Sequence, residues 1–207
     1  MKVISLKREK SHLVSVAFEN GESVLLDIDL CVQKCIHEGD EITDEQISEY
    51  KSESDYMRAK SRALWLLDRY IYSERNLFKK LRQAGFGEIP AARAISRLKE
   101  LGIIDDKSLA YRYAQALERR GVSKREAYGK LYGKGFNSDT INEALEGAAF
   151  DEDKQLRELI ERKYNGKLLS GDIDKVYAAL VRKGFSYSAV RNALKEFSRK
   201  IELSGEE

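Results

Sequence analysis

The sequence predicts a mainly α protein: three tandem three-helix repeats, preceded by a small N-terminal β-hairpin region. Three observations predict it. The pattern Leu-x-x-x-Gly-Phe occurs at Leu81, Leu131 and Leu180, at spacings of 50 and 49 residues. Eight positions before each of these leucines stands a helix-capping residue type: Ser73, Ser123 and Asp172. From Tyr56 onward apolar residues recur at helical spacing, no strand signal intervenes, and Pro90 is the only proline. A three-helix unit this small buries too little apolar surface alone, so neighbouring units must stack.

The first elements differ from the rest. Leu13 to Phe18 is rich in β formers, Asn20-Gly21 is a type I′ turn signal, and Ser23 to Ile28 returns as a second strand. Val3 to Leu6 supplies a third strand. A helix then starts at Thr43, with Gln46 three residues on in the capping-box pattern and Ile42 placed to staple onto Ile47. These elements make up an N-terminal extension over residues 1–57.

Each repeat opens with a helical run: 58–70, 107–120 and 154–164. Asp105-Asp106 and Asp151 to Asp153 stand at the starts of the last two, where carboxylates accept first-turn amides and meet the positive end of the helix dipole. The capped helices follow, with Leu77-Phe78, Ala127-Tyr128 and Val176-Tyr177 facing the same way. A third helix completes each unit, with apolar positions at Ile95 and Leu98, at Ile141 and Leu145, and at Val190, Leu194 and Phe197. The expected boundaries are 58–104, 105–150 and 151–200, with a C-terminal tail at 201–207. In the third unit NGKLLSGD reads as an extra glycine-rich loop, and Gly129 falls inside a helix at a cost of about 1 kcal/mol relative to alanine.

The repeated pattern reads as a structural joint. With glycine at the first position past the helix, Leu81 and Phe86 take the two places whose side chains touch in a Schellman cap. The same applies to Leu131, Gly135 and Phe136, and to Leu180, Gly184 and Phe185. A phosphate-cradling loop would instead cluster glycines between a strand and a helix N-terminus, where amides are exposed.

Composition narrows the function classes. No apolar run reaches membrane-spanning length and no signal-peptide stretch follows the first charges, so a cytoplasmic location is expected. Cys31 and Cys35 are the only cysteines; at i, i+4 on a helix they read as small core residues, and with His37 they lack the further ligands of a zinc site. No metal or other cofactor is expected. No hydrolase elbow, P-loop or zinc-protease helix occurs, which argues against an enzyme.

Charge is uneven. Residues 1–57 carry 6 Lys and Arg against 13 Asp and Glu, whereas 58–100 carry 11 against 4, a pattern that suits a localised anionic partner. Arg75, Lys79 and Arg82 stand at i, i+4, i+7 opposite the apolar positions of their helix, and Arg93 and Arg97 form a further i, i+4 pair. Lys124 and Arg125 extend this candidate partner face, which otherwise is not reproduced in the other repeats. The competing reading is a solvated helix face.

The segment SERNLFKKLRQAGF, followed by AISRLKELGIIDDKSLAYRYAQALERRGVSKREAYGKLYGKGFNSDTINEAL, resembles the RecX family of recombination regulators. The features that carry the resemblance are the Arg-x-x-Ser helix start at Arg120 to Ser123, the Leu-x-x-x-Gly-Phe joints, Gly-Ile-Ile-Asp-Asp at 102–106 and Arg-Arg-Gly-Val-Ser at 119–123, within about residues 58–200. The resemblance implies an elongated, curved stack of these units, and a regulatory protein that binds the RecA recombinase and its nucleoprotein filament and mainly inhibits it, in homologous recombination, DNA repair and the SOS response; a monomer is expected. Weak direct contact with DNA is a secondary expectation. Two alternatives stand beside it: a helix-turn-helix-like DNA-binding module, and a repeat scaffold for another acidic protein.

Overall fold

The computed structural model describes residues 1–10 and 12–204. The chain divides into two compact units, Met1–Ile104 and Asp105–Glu207. The architecture is mainly helical, with a three-stranded antiparallel sheet at the N-terminus.

In the first unit β1 (Val3–Lys10), β2 (Leu13–Phe18) and β3 (Ser23–Asp27) pair in chain order. Alternation along β2 turns Val14, Val16 and Phe18 inward, where they join Val3, Leu26, Cys31, Ile36 and Ile42 in one core. The connection from β2 to β3 differs from the type I′ turn that Asn20-Gly21 suggests. The Gly21 amide donates to the Phe18 carbonyl, the Phe18 amide to Glu22, and only Gly21 (φ +83°) is left-handed. Glu19, Asn20 and Gly21 therefore form a three-residue loop closed by a left-handed residue, one longer than a two-residue hairpin.

α1 (Ile28–Gln33) is a short helix capped by the Asp27 carboxylate, which accepts the Asp29 amide at 3.0 Å. It ends before Cys35, so the two cysteines do not share a helical face. Cys31 is buried, while Cys35 is exposed with φ +51°. The Ile36 amide donates to the Cys31 carbonyl, the bond of a Schellman closure with cysteine in the position that glycine usually takes.

α2 (Asp44–Arg69) begins at a complete capping box: Thr43 Oγ1 accepts the Gln46 amide and Gln46 Oε1 accepts the Thr43 amide. Its 26 residues extend about 39 Å, without a break at the expected 57/58 boundary. Ile47 and Tyr50 pack on the sheet, whereas Ala63 and Leu66 pack against α3 (Glu74–Gln83) and α4 (Glu88–Glu100). One helix thus serves two cores. Leu77, Leu81 and Leu98 are fully buried beside it, each worth about 1.5–3 kcal/mol relative to an exposed side chain.

The second unit opens with α5 (Asp106–Glu118), α6 (Lys124–Gly133) and α7 (Ser138–Gly147), closed around Ala114, Ala127, Leu131, Phe136 and Ile141. α8 (Glu152–Leu159) follows and passes through a π-helical turn, Ile160–Tyr164, into α9 (Asn165–Leu169). The wider turn carries the apolar face on to Tyr164 and Leu168, which are buried, and leaves Lys163 and Lys167 outside. Most of NGKLLSGD is accordingly helix, not loop. α10 (Ile173–Arg182) and α11 (Tyr187–Ser204) complete the unit. Of the tail expected at 201–207, residues 201–204 belong to α11 and 205–207 lie outside the described residues.

Gly85, Gly135 and Gly184 follow α3, α6 and α10 with φ of +92°, +87° and +89°. The next residue's amide reaches back to the leucine carbonyl in each case: Phe86 to Leu81 at 3.2 Å, Phe136 to Leu131 at 3.4 Å and Phe185 to Leu180 at 3.4 Å. These are Schellman closures, in which a β-carbon at positive φ costs on the order of 1 kcal/mol. At the other ends, Ser73 and Ser123 accept amides of Asn76 and Glu126. Asp172 does not cap α10; its carboxylate bonds the Lys175 ammonium at 2.8 Å instead.

Candidate partner-binding surface

α3 buries Leu77 and Leu81 and turns Arg75, Lys79 and Arg82 to solvent, because i, i+4, i+7 positions recur on one side of a helix. Arg82 is partly engaged: its guanidinium donates to the Phe86 carbonyl at 2.8 Å and so braces the joint that follows. Among the described residues Arg75 and Lys79 have no ion-pair partner. They are the accessible cations of this face.

Arg93 and Arg97 behave differently. Arg93 bonds Glu53 of α2 at 2.9 Å and lies over the Tyr56 ring at 4.6 Å, which ties α4 to α2. Arg97 pairs with Glu100 one turn on, at 2.9 Å. Helical spacing alone groups these two with the α3 cations; in the structure each also has a carboxylate partner. An outward base-reading helix is also poorly served at the start of α3. There the buried Ser73 serves as cap and Glu74 holds Lys99 at 2.7 Å.

A feature that the charge pattern does not single out lies on α2. Trp65, the single tryptophan, is 43% exposed, with the Arg62 guanidinium 4.2 Å and the Arg69 guanidinium 4.1 Å from its ring. The spacings are i−3 and i+4, so RALWLLDR already contained the signal. Leu64, Tyr70 and Ile71 are exposed nearby in sequence. An aromatic face already occupied by guanidinium groups offers contact area with little further ordering cost.

In the second unit Lys124 and Arg125 stand exposed in the first turn of α6. They border a cavity of about 690 Å³, with Tyr128 and Leu145 on one side and Gly184 and Tyr187 on the other. Gln155, 3% exposed, reaches this cavity and donates to the Glu118 carbonyl at 3.4 Å.

Burial, with the nearby charge of Asp27, raises the Cys31 thiol above its ordinary value. Hydrogen bonds to Glu143 and Asp172 raise Lys107 and Lys175. Among the described residues no group of three or more His, Cys, Asp or Glu is placed to hold a metal ion, and no helix is long and apolar enough to cross a membrane.

The fold and surface together define a mainly helical protein with an N-terminal antiparallel sheet and exposed basic and aromatic faces. No protein-family model matches the chain. It is 29% identical over 192 residues to "Regulatory protein RecX" of Caldanaerobacter subterraneus subsp. tengcongensis, covering 91% of this chain and 95% of that one. A protein of the same name from Streptococcus pneumoniae is 27% identical over 205 residues, 98% of this chain and 79% of the relative. Two solved folds are similar. "Crystal structure of regulatory protein RecX" has a TM-score of 0.69 at 20% identity, over 94% of this chain and 98% of that one. "Crystal structure of RecX from Lactobacillus salivarius" has a TM-score of 0.63 at 21% identity, over 70% and 98%. The resemblance to the RecX family of regulatory proteins is therefore borne out along nearly the whole chain.

Proposed function

We propose that this chain is a cytoplasmic, monomeric regulator that binds the RecA recombinase and its filament on DNA and mainly inhibits recombinase activity. The observation that carries the reading is its likeness, over 91% and 98% of its length, to proteins named as RecX regulators. On this reading the chain acts by occupancy and not by catalysis, in recombination and DNA repair. Three three-helix units, 58–104, 105–150 and 151–200, follow the N-terminal extension and supply the surfaces. α2 begins in the extension and continues as the first helix of the first unit.

Arg75 and Lys79 are the leading contact residues, with Arg82 bracing the joint beside them and Lys124 and Arg125 as a second patch. Rim cations of this kind act on association rate and salt dependence more than on the final contact energy. The test is co-sedimentation with RecA filaments of the variant Arg75→Glu, Lys79→Glu and Arg82→Glu, its helicity checked first. Weakened binding supports the assignment, and undiminished binding by the folded variant removes it.

A further inference from the structure

We infer that the groove between α10 and α11 is a docking site for an acidic, partly apolar segment of a partner protein. The inference rests on the three-unit reading above but does not use the α3 surface.

The 690 Å³ cavity between α6, α7 and the end of α10 has a counterpart 49 residues on. Tyr128 and Leu145 correspond to Tyr177 and Leu194, which help line a second cavity of about 620 Å³. In the first cavity the opposite wall is polypeptide, Gly184 and Tyr187 at the joint after α10. The second is lined by α10 and α11 alone. Its floor keeps the residue types that accept a polypeptide joint, with nothing of the described chain seated against it.

The chemistry around that floor has been rewritten. Ser123 donates its hydroxyl proton to the Lys183 carbonyl at the end of α10. Its counterpart, Asp172, is a carboxylate that accepts from Lys175, and it would repel the exposed carbonyls of a helix C-terminus. Another joint of the same kind is therefore a poor occupant. Along α11, Arg191, Lys195 and Arg199 stand where the preceding unit has Asn142, Glu146 and Phe150. These cations recur at i, i+4, i+8 over about 12 Å of helix, and all three line the groove. Among the described residues none has a carboxylate partner, and Asp174 is the only acidic residue of the lining.

A row of unpaired cations over an apolar floor selects a ligand with both features: carboxylates at helical spacing and one or two apolar side chains between them. A nucleic-acid strand would seek open aromatic faces for its bases, and Tyr177 is half-buried.

The test uses the full chain and a fluorescein-labelled peptide with Glu and Leu at helical spacing, read by polarisation. The variant Arg191→Glu, Lys195→Glu, Arg199→Glu should bind at least ~10-fold more weakly, and the triple Gln variant should lose part of the affinity. Arg75→Glu with Lys79→Glu should leave it unchanged. Circular dichroism establishes that each variant is folded. Absence of saturable peptide binding, or equal binding by the folded reversal variant, overturns the inference. So does preferential binding of oligothymidylate at the same residues, or a dimer of this chain that the reversal dissociates. RecA co-sedimentation is measured in parallel. Protein that binds RecA but not peptide overturns the groove alone; protein that binds peptide through the α11 cations but not RecA supports the groove and overturns the function proposed above.

Discussion

Ser123 and Gly184 fit against each other so closely that a β-carbon on Gly184 would stand 2.8 Å from the serine Oγ. That oxygen accepts the Glu126 amide and donates to the Lys183 carbonyl, so one hydroxyl joins the N-terminus of α6 to the C-terminus of α10. The two helix ends have opposite dipole sign, which favours the contact. Gly184→Ala should therefore cost about 2 kcal/mol or more, combining positive φ with overlap. Gly85→Ala, at similar φ with open space around its β-carbon, should cost about 1 kcal/mol. Ser123→Ala should cost about 1–2 kcal/mol, and the double variant Ser123→Ala, Gly184→Ala less than the sum, because removing Oγ relieves the overlap. Urea unfolding midpoints of the four variants check the set.

Gly129 lies inside α6 without positive φ, and a β-carbon added there would meet nothing within 4 Å. Gly129→Ala should stabilise the protein by about 0.5–1 kcal/mol through the unfolded chain's lost freedom. Thermal unfolding shows it as a rise in midpoint.

The cysteines should separate by reactivity. Cys35 is exposed and should alkylate in the native protein, while Cys31, buried and held as the neutral thiol, should react only on unfolding. Because burial raises the folded-state value, the Cys31 contribution to stability is complete at neutral pH and is lost as pH rises through the unfolded thiol's value towards the folded one. Mass spectrometry after timed iodoacetamide exposure, with and without urea, checks the order.

Arg93 and the pair Arg75, Lys79 should divide between stability and binding. Arg93→Ala removes a half-exposed ion pair and a cation–π contact and should cost about 0.5–1.5 kcal/mol. Arg75→Ala with Lys79→Ala should change stability by less than about 0.5 kcal/mol and instead weaken filament binding, more so at low salt. Paired unfolding and binding curves for the two variants distinguish the roles.

The mainly helical class and the N-terminal sheet were legible because both rest on local signals: apolar period, β-branched runs and the Thr43–Gln46 capping box. The departures arise where a non-local partner or an unusual backbone conformation decides. Asp172 has a good capping side chain, but Lys175 takes its carboxylate. Cys35 ends α1 in a left-handed conformation that spacing cannot reveal. Asn165–Leu169 is helical because a π turn brings Leu168 into the core, despite Gly166 and the polar neighbours that read as loop. Of the candidate site, exposure of the α3 cations follows from their period, whereas the Glu53 partner of Arg93 is 40 residues away and invisible to it.

Regulation of RecA through binding of its filament is the role proposed for this chain. Purified protein titrated into RecA-catalysed ATP hydrolysis and strand exchange, with the filaments imaged in the same mixtures, tests it most directly. Progressive inhibition that tracks decoration or shortening of the filaments is the predicted result. Unchanged rates with bare, full-length filaments at saturating protein would contradict it.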